Sequence, residues 1–262
     1  MPTILSELQA GVLSLTVQRP PVNALNMETI TELLTALKDA ACNPDVRCIL
    51  LTGSQGVFSA GHDIHEMLAA QDQKISYRLH LQESYNPLIL QIRQIEKPVI
   101  AVINGPAAGA GLGIALACDL RIAADNAHFT VGFAGIGLAP DSGISLFLPV
   151  LAGLGRATEL AFSNATIPAN QALEWGLINR LVPAEELASE SATLAGMLAN
   201  GPVEAFGLAK RAFNRSVLPN LEDALEHEAD LQEIASHSSE HAEGVSAFIE
   251  KRFPNFNPPL EK

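Results

Sequence analysis

The sequence predicts an α/β protein whose N-terminal part forms a mainly parallel β-sheet packed between helices, followed by a helical C-terminal part. Two observations predict this class. In the first half of the chain, short apolar runs alternate with segments of helical spacing, which is typical of βαβ units. After about residue 155, segments of helical spacing follow one another, separated by proline, glycine or asparagine.

The first predicted elements are a strand, a helix and a second strand. Residues 11–20 alternate between apolar and polar side chains, as a half-buried strand does. Residues 26–41 have the apolar spacing of an amphipathic helix, and Asn26 is placed to cap its first turn. Residues 46–53, VRCILLTG, form a short apolar run ending in glycine and predict a buried strand.

The middle of the chain contains an uncharged stretch long enough to cross a bilayer. It spans residues 98–117 and reads PVIAVINGPAAGAGLGIALA. The NGP at residues 104–106 indicates a turn rather than a continuous helix. We therefore expect a buried strand at Val99–Ile103, a turn, and a buried helix rich in glycine and alanine.

Further segments complete the series of predicted elements. Residues 58–68 predict a turn that enters a helix, residues 75–96 a long amphipathic helical stretch, and residues 120–125 another strand. The C-terminal helices are predicted at residues 155–164, 169–179, 184–200, 202–217, 220–236 and 239–252. The last three are amphipathic, so they could form a separate helical layer or an oligomer contact.

Composition and charge exclude some classes of partner. The 262 residues are 48% hydrophobic and 17% charged, which is a globular composition. The formal net charge of −13 argues against nucleic acid and anionic membrane as general partners. The three cysteines include no CxxC pair, so neither a disulfide framework nor structural zinc is expected, and a cytoplasmic location fits best. The N-terminus carries Glu7 and no basic region, unlike a signal peptide.

Two segments share a buried strand, a turn of small residues and the start of a helix. They read CILLTGSQGVFSAGHDIHEM and VIAVINGPAAGAGLGIALACD. A helix N-terminus presents unpaired backbone N–H groups, and two such ends facing one another could hold a negative charge that develops on a carbonyl oxygen. The same small residues also suit close packing of helix on sheet, so the spacing alone leaves both interpretations open.

The segment AGIGLAPDSGISLFLPVLAG at residues 134–153 contains one charged residue, Asp141. Pro-Asp-Ser-Gly is an ordinary turn sequence, so a purely structural role is one interpretation. The apolar neighbours Leu138, Ala139 and Ile144 would desolvate the carboxylate and raise its basicity. The other interpretation is therefore a carboxylate that takes up and returns a proton.

The motifs and their order resemble the crotonase superfamily, which contains the enoyl-CoA hydratases and isomerases. The resemblance is carried by FSAGHDIHEM, KPVIAVINGPAAGAGLGIALACDLRIAADNAHF, LAPDSG and ALEWGLINRLVP. It implies a crotonase-type ββα-spiral core, assigned to residues 1–195, and a helical trimerisation region, assigned to residues 196–262. It also implies an acyl-coenzyme A substrate with no separate cofactor, and a homotrimer or a dimer of trimers.

The resemblance also assigns residues to a site. The backbone N–H groups of His62 and Ala110 would hold the thioester oxygen, and the side chain of His62 would be incidental. Asp141 matches the acid/base position of isomerases similar to those of the phenylacetate pathway. Phe248 and Lys251 would reach the acyl-CoA of a neighbouring subunit. The implied substrate-binding residues are Ala60, Asp63, Ile64, Gly109, Phe133, Phe248 and Lys251.

The chain departs from the usual hydratase pattern, because the two glutamates that handle water in hydratases correspond to Gly113 and Phe133. Shifting a double bond needs one carboxylate that takes a proton from C2 and returns it at C4, whereas hydration usually needs more groups. We therefore favour an enoyl-CoA isomerase with Asp141 as its single acid/base. A hydratase with atypical residues and a non-catalytic acyl-CoA binding protein are the alternatives.

Three other functions are weighed and set aside. In related dehalogenases a tryptophan and a histidine accompany the aspartate, and Phe133 and Asn86 occupy those positions here. The segment HDIHE at residues 62–66 has some of the residue types of a metal site, but a zinc hydrolase needs a third, remote ligand, and a helix capping box explains the pattern as well. GAGLG at residues 109–113 lacks the G-x-G-x-x-G spacing of dinucleotide loops.

Overall fold

The computed structural model describes residues 2–66 and 76–257. Its strands in this part of the chain are β1 Ile4–Gln9, β2 Val12–Val17, β3 Cys48–Gly53, β4 Val99–Ile103, β5 Ala107–Ala108, β6 Leu120–Ala124, β7 His128–Thr130, β8 Thr166–Pro168 and β9 Arg180–Val182. In the larger sheet of the described residues the strand order is β1-β2-β3-β4-β6-β9; β1 is antiparallel to β2, and all later neighbours are parallel. The smaller sheet has the order β5-β7-β8.

Helices account for most of the remaining described chain. They are α1 Met27–Cys42, α2 Tyr77–Glu83, α3 Tyr85–Gln94, α4 Ala110–Ala117, α5 Ile144–Ala152, α6 Leu154–Ser163, α7 Ala169–Glu174, α8 Leu187–Ala199, α9 Val203–Val217, α10 Leu221–Ser236 and α11 Ser239–Ile249. The predicted turn into a helix at residues 58–68 can be followed to residue 66, and the rest of that prediction lies outside the described residues.

The α/β class is confirmed, and so are the local predictions on which it rests. Asn26 caps α1, because its side-chain oxygen accepts a hydrogen bond from the N–H of Thr29 at 3.0 Å. The uncharged stretch at residues 98–117 folds into β4, a turn, β5 and α4, all largely buried. Within the described residues, no helix is both long and apolar enough to cross a membrane.

The central strands are buried on both faces, which explains their continuous apolar sequence. Ile49, Leu51 and Ile103 face the main core, to which α1, α3, α4 and α5 also contribute. Cys48 and Ile100 face a smaller core on the opposite side, which α8 covers with Leu187, Leu194 and Ala195. The sheet therefore holds the turns that follow β3 and β4 in fixed positions at the carboxyl ends of these two neighbouring parallel strands.

Three details of the predicted elements are corrected. The amphipathic stretch at residues 75–96 divides at Ser84 into α2 and α3, because Pro87 in an uninterrupted helix would clash with the carbonyl of residue 83. The helix predicted at residues 169–179 ends at Glu174, and the chain continues into β9. The edge strand β1 was not predicted, since most of its side chains are exposed and give little apolar pattern.

The C-terminal helices pack directly on the rest of the chain. α10 contacts α2, α3 and α5, and α11 contacts the 3-10 turn Ala134–Ile136. This second contact is close: a Cβ on Gly244 of α11 would lie 2.6 Å from the Ile136 backbone. The boundary expected between residues 195 and 196 falls inside α8, and the division into two regions stays a prediction.

The close approach at Gly244 predicts opposite effects of two glycine-to-alanine substitutions on stability. Gly244→Ala forces a methyl group into a neighbouring backbone, so the free energy of unfolding should fall by about 1–3 kcal/mol. Gly196→Ala, in the interior of α8, meets nothing within 4 Å and should raise it by about 0.5–1 kcal/mol, because alanine is the better helix former. Denaturant unfolding measures both. A Gly244→Ala protein as stable as the Gly196→Ala protein would contradict this packing.

Candidate active site

A cavity of about 1170 Å³ lies where the turn after β3 meets the start of α4, beneath α2, α10 and α11. His62, Ala110 and Asp141 all line it. So do the expected substrate-binding residues Ala60, Asp63, Ile64, Gly109, Phe133 and Phe248. Phe248 lines the cavity of its own chain, where the resemblance implied a neighbouring subunit, and Arg252 rather than Lys251 joins it in the wall.

Two glycines with positive φ allow the turns on either side of the cavity to touch. Gly61 has φ +89° and Gly109 has φ +52°, a region that residues with side chains rarely adopt. A Cβ on Gly61 would lie 2.9 Å from the carbonyl oxygen of Ala108 and 3.3 Å from the nitrogen of Ala110. The peptide groups at the two turns are therefore close neighbours.

Two backbone N–H groups at these turns are left without acceptors in the described part of the chain. Leu25 donates to the carbonyl of Gly61 at 2.7 Å, and Asp63 donates to the carbonyl of Leu25 at 2.9 Å, which ties the backbone on both sides of His62 but not its own N–H. Ala110 is the first residue of α4, so its N–H has no partner within the helix. Both N–H groups belong to residues of the cavity wall.

The remaining glycines of α4 bring two serine-containing turns against one helix. A Cβ on Gly111 would lie 2.7 Å from the Cβ of Ser59, and a Cβ on Gly113 would lie 2.7 Å from the carbonyl oxygen of Ser142. Both distances are shorter than real Cβ contacts, so a side chain at either position would displace a turn. Because Gly113 has no side chain, the turn containing Asp141 can pack on α4. This packing places Asp141 in the wall of the same cavity as Ala110.

The carboxyl group of Asp141 is buried but has hydrogen-bond partners. Its Oδ1 accepts from the hydroxyl of Ser142 at 2.7 Å, and its Oδ2 accepts from the side-chain amide of Gln232 at 2.7 Å. Burial raises the pKa of Asp141 from 3.8 to about 6, although the two hydrogen bonds oppose the increase. A carboxyl group with this pKa can both take up and release a proton near neutral pH.

A second buried carboxyl group, Glu228 on α10, holds the other end of the same turn. It accepts from the N–H of Gly143 at 2.8 Å and from the N–H of Ser145 at 2.9 Å, where α5 begins. Burial, together with the nearby Asp141 charge, raises the pKa of Glu228 to about 7. Glu228 is not in the cavity wall, so its contacts fix the turn rather than reach a ligand.

The side chain of His62 is part of the cavity, which the resemblance did not imply. Its Nδ1 lies 3.0 Å from the hydroxyl of Tyr85, and its ring meets that of His80 edge-on at 4.9 Å between centroids. Burial, and then the neighbouring His80, lowers the pKa of His62 to about 3, so its imidazole is neutral at physiological pH. Burial raises the pKa of Tyr85 well above its usual value. This side of the cavity is therefore polar but uncharged.

The two arginines of the cavity wall are both paired with carboxylates. Arg19 contacts Asp63 at 2.5 Å, and Arg252 contacts Glu243 at 2.5 Å and 2.9 Å through its two terminal nitrogens. Within the described residues, no three histidine, cysteine or acidic side chains are grouped so that they could hold a metal ion.

Sequence reasoning missed Glu228 and Gln232. Both lie on the buried face of α10, at the helical spacing of Leu221, Leu225 and Ala229. A glutamate and a glutamine at positions where an amphipathic helix should be apolar were the available signal, and they mark polar groups that need buried partners.

Comparison with known proteins relates the chain to one family over nearly its whole length. The family model described as enoyl-CoA hydratase/isomerase matches residues 7–259. The 1,2-epoxyphenylacetyl-CoA isomerase of Escherichia coli (strain K12) is 39% identical over 258 residues, covering 98% of each chain. A 4-chlorobenzoyl coenzyme A dehalogenase of Arthrobacter sp is 36% identical over 244 residues, covering 92% of this chain and 88% of the relative.

A solved structure supports the same relationship. The crystal structure of an enoyl-CoA hydratase from Mycobacterium avium subsp. paratuberculosis K-10 has a TM-score of 0.88 to this chain at 36% identity, covering 98% of this chain and 99% of that chain. The chain therefore has the crotonase-type fold. The related proteins reported above are named for different reactions.

The raised pKa of Glu228 predicts how stability varies with pH. Between its usual value of 4.5 and about 7 the folded protein binds more protons than the unfolded chain, so the free energy of unfolding should decrease as pH rises through this window. Glu228→Gln removes this contribution. The decrease in its free energy of unfolding between pH 5 and pH 8 should be smaller than that of the original protein by roughly 1 kcal/mol or more. Glu226→Gln, on the same helix but exposed, should follow the original protein. If the free energy of unfolding varied with pH equally in the two variants, the raised pKa of Glu228 would be contradicted.

Proposed function

Because the chain belongs to the enoyl-CoA hydratase/isomerase family, we propose that it is an enoyl-CoA isomerase that shifts a double bond in an acyl-coenzyme A thioester. One observation carries the proposal. The buried carboxyl group of Asp141, with its pKa raised to about 6, lines the same cavity as the N–H groups of His62 and Ala110, which have no acceptor among the described residues. A base and a pair of oxyanion donors are what a double-bond shift beside a thioester requires.

The proposed reaction uses one carboxyl group twice. The thioester oxygen accepts hydrogen bonds from the N–H groups of His62 and Ala110, and ionised Asp141 removes a proton from C2 of a 3-enoyl thioester. The C–H electron pair becomes part of a conjugated enolate, whose oxygen charge the two donors stabilise by about a few kcal/mol each. Protonated Asp141 then returns the proton to C4, giving a 2-enoyl thioester of unchanged mass.

The space around α4 favours isomerisation over hydration. The resemblance implies that a hydratase carries a water-handling glutamate where this chain has Gly113. Here a Cβ at Gly113 would be only 2.7 Å from Ser142, so the Asp141 turn occupies the room that such a side chain needs. Phe133, at the other glutamate position, is an apolar residue of the cavity wall. The cavity wall also contains Asp63, which is paired with Arg19, and Glu66, which accepts from the N–H of Met27. Asp141 has no such cationic or backbone partner among the described residues and is our choice for the acid/base.

Dehalogenation, the reaction named for the Arthrobacter relative, is less well supported. Asn86, at the position that the resemblance gives to the accompanying histidine, is buried and donates through its side-chain amide to the carbonyl of Leu225 at 3.2 Å. Asn86 does not line the cavity, and an amide is not a base, so this residue cannot take the role of that histidine in activating water.

We assign the rest of the site from the resemblance to the crotonase superfamily. Ala60, Asp63 and Ile64 would contact the adenine end of coenzyme A, and Gly109 and Phe133 the acyl group. Phe248 would contact it from its own chain. Lys251, which lies outside the cavity wall, keeps its proposed role only toward a neighbouring subunit. The reaction needs no cofactor beyond the coenzyme A of the substrate.

Assembly and location are further parts of the proposal. Large apolar side chains remain exposed on and near the C-terminal helices, among them Phe213, Ile234 and Phe253, and they favour a homotrimer or a dimer of trimers. Three free cysteines, two of them buried, suit the reducing cytoplasm.

The reaction is tested by the mass of the product. Incubated with a 3-enoyl-CoA, the protein should give a 2-enoyl-CoA of the same mass, and Asp141→Asn should lower kcat by about 10²–10⁴-fold because the acid/base is lost. Asp39→Asn, an exposed change of the same chemistry on α1, should leave kcat unchanged. Addition of one water to a 2-enoyl-CoA would instead support a hydratase. Tight binding with no turnover of either substrate would support a binding protein.

The pH profile tests the role of Asp141 as a base. The carboxyl group must be ionised to remove the C2 proton, so kcat/KM should be low in acid and rise with pH through about 6, the raised pKa of Asp141. The rise should level off above about pH 7. An acid limb centred near 4, the ordinary range of an aspartate, would mean that Asp141 is solvated or is not the base.

A further inference from the structure

Gln232 on α10 makes an unusual contact with Asp141. Its Nε2 donates to Oδ2 of Asp141 at 2.7 Å, and Gln232 is buried in the wall of the same cavity. Ser142, also buried, donates to the other carboxylate oxygen at 2.7 Å. Each oxygen of the ionised carboxylate therefore has one donor from the protein, and both donors are neutral.

The proposed reaction changes what Asp141 needs from these neighbours. Once it has taken a proton from C2, the carboxyl group has an O–H that needs an acceptor in a buried environment. The Nε2 of Gln232 cannot provide one. The Oε1 of Gln232 can, and this atom is buried with no hydrogen-bond partner in the described part of the chain. A half-turn of the amide group about the Cγ–Cδ bond exchanges the two atoms.

We propose that Gln232 is a positioning residue whose amide reverses its hydrogen bond in step with the protonation of Asp141. Nε2 donates to the carboxylate, and after proton uptake Oε1 accepts from the carboxyl O–H. No proton passes through Gln232, which keeps its own hydrogens throughout. The inference rests on the proposed function in that Asp141 cycles between its two protonation states.

The other titratable groups around Asp141 do not provide this acceptor. Glu228, one helical turn before Gln232 on α10, already accepts from the N–H groups of Gly143 and Ser145. Tyr85, on α3, has its hydroxyl 3.0 Å from His62. His80, on α2, has a buried Nε2 for which no contact with Asp141 is found among the described residues. Among the described side chains, those that hydrogen-bond to the carboxyl group of Asp141 are Ser142 and Gln232, and both can donate and accept. Of the two, Gln232 has a buried acceptor atom without a partner in the described part of the chain.

The reversal has a direct spectroscopic test that needs no turnover. With selective 13C labelling of glutamine Cδ, the resonance of Gln232, assigned by its loss in Gln232→Met, should shift downfield on acidification as its carbonyl gains a hydrogen bond. The pH midpoint of this shift should equal the pH midpoint at which the carboxyl carbon resonance of Asp141 titrates. The shift should be absent in Asp141→Asn. A Cδ resonance that stays constant through the titration of Asp141 would overturn the reversal.

Kinetics of a matched pair of variants separates this role from a structural one. Gln232→Met should lower kcat about tenfold with little change in KM. The reason is that the Asp141 carboxyl group loses its hydrogen bond to Gln232 in both proton transfers. Gln232→Met should also move the acid limb of kcat/KM to higher pH, since the lost bond to the ionised carboxylate is the stronger one. Gln82→Met breaks a similar amide–carboxylate bond between α2 and α10, from Gln82 to Glu226 at 2.5 Å, and should change neither value.

The outcomes distinguish this inference from the proposed function. An acid limb unmoved in Gln232→Met, together with a kcat within twofold of the original, would overturn the positioning role even if the protein is an isomerase. A Cδ resonance that titrates with Asp141 would support the coupling even if the protein catalyses a different reaction.

Discussion

The close packing of two turns on α4 is the constraint on which the rest of the site depends. At Gly111 and Gly113 the helix has no side chain, and Ser59 and Ser142 occupy the space that a Cβ would need. The first contact fixes the turn that leads to His62, and the second fixes the turn that carries Asp141. Because both turns rest on one helix, the N–H of Ala110 at its start has a defined position relative to each.

The burial that gives Asp141 its basicity also requires polar neighbours. A lone carboxylate in an apolar core is costly, and here Ser142 and Gln232 each donate one hydrogen bond while Glu228 fixes the following turn. Burial raises the pKa of both carboxyl groups, and the charge of Asp141 adds to the increase at Glu228. The burial of these two carboxyl groups lowers the free energy of unfolding at neutral pH. It also gives Asp141 a pKa at which it can take up and release a proton near neutral pH.

Local signals in the sequence were sufficient where one short segment determines the structure. The cap at Asn26, the break at residues 104–106 and the charge of Asp141 in an apolar turn could all be predicted in this way. The strands β7, β8 and β9 are each only three residues long, too short for a periodic pattern. The partners Glu228 and Gln232 lie more than 80 residues from Asp141, a pairing that only the folded chain reveals.

The groups around the cavity come from separate stretches of the chain. The two N–H groups proposed to hold the thioester oxygen lie in the first half, on turns that the sheet and α4 hold, whereas Gln232 and Glu228 lie on α10 near the C-terminus. Substitutions on α10 can therefore alter the proton affinity of the Asp141 carboxyl group and leave the proposed thioester-binding turns unchanged. Such modularity offers a physical route by which one scaffold diversifies: evolution can retain substrate capture and retune the chemistry through a distant helix.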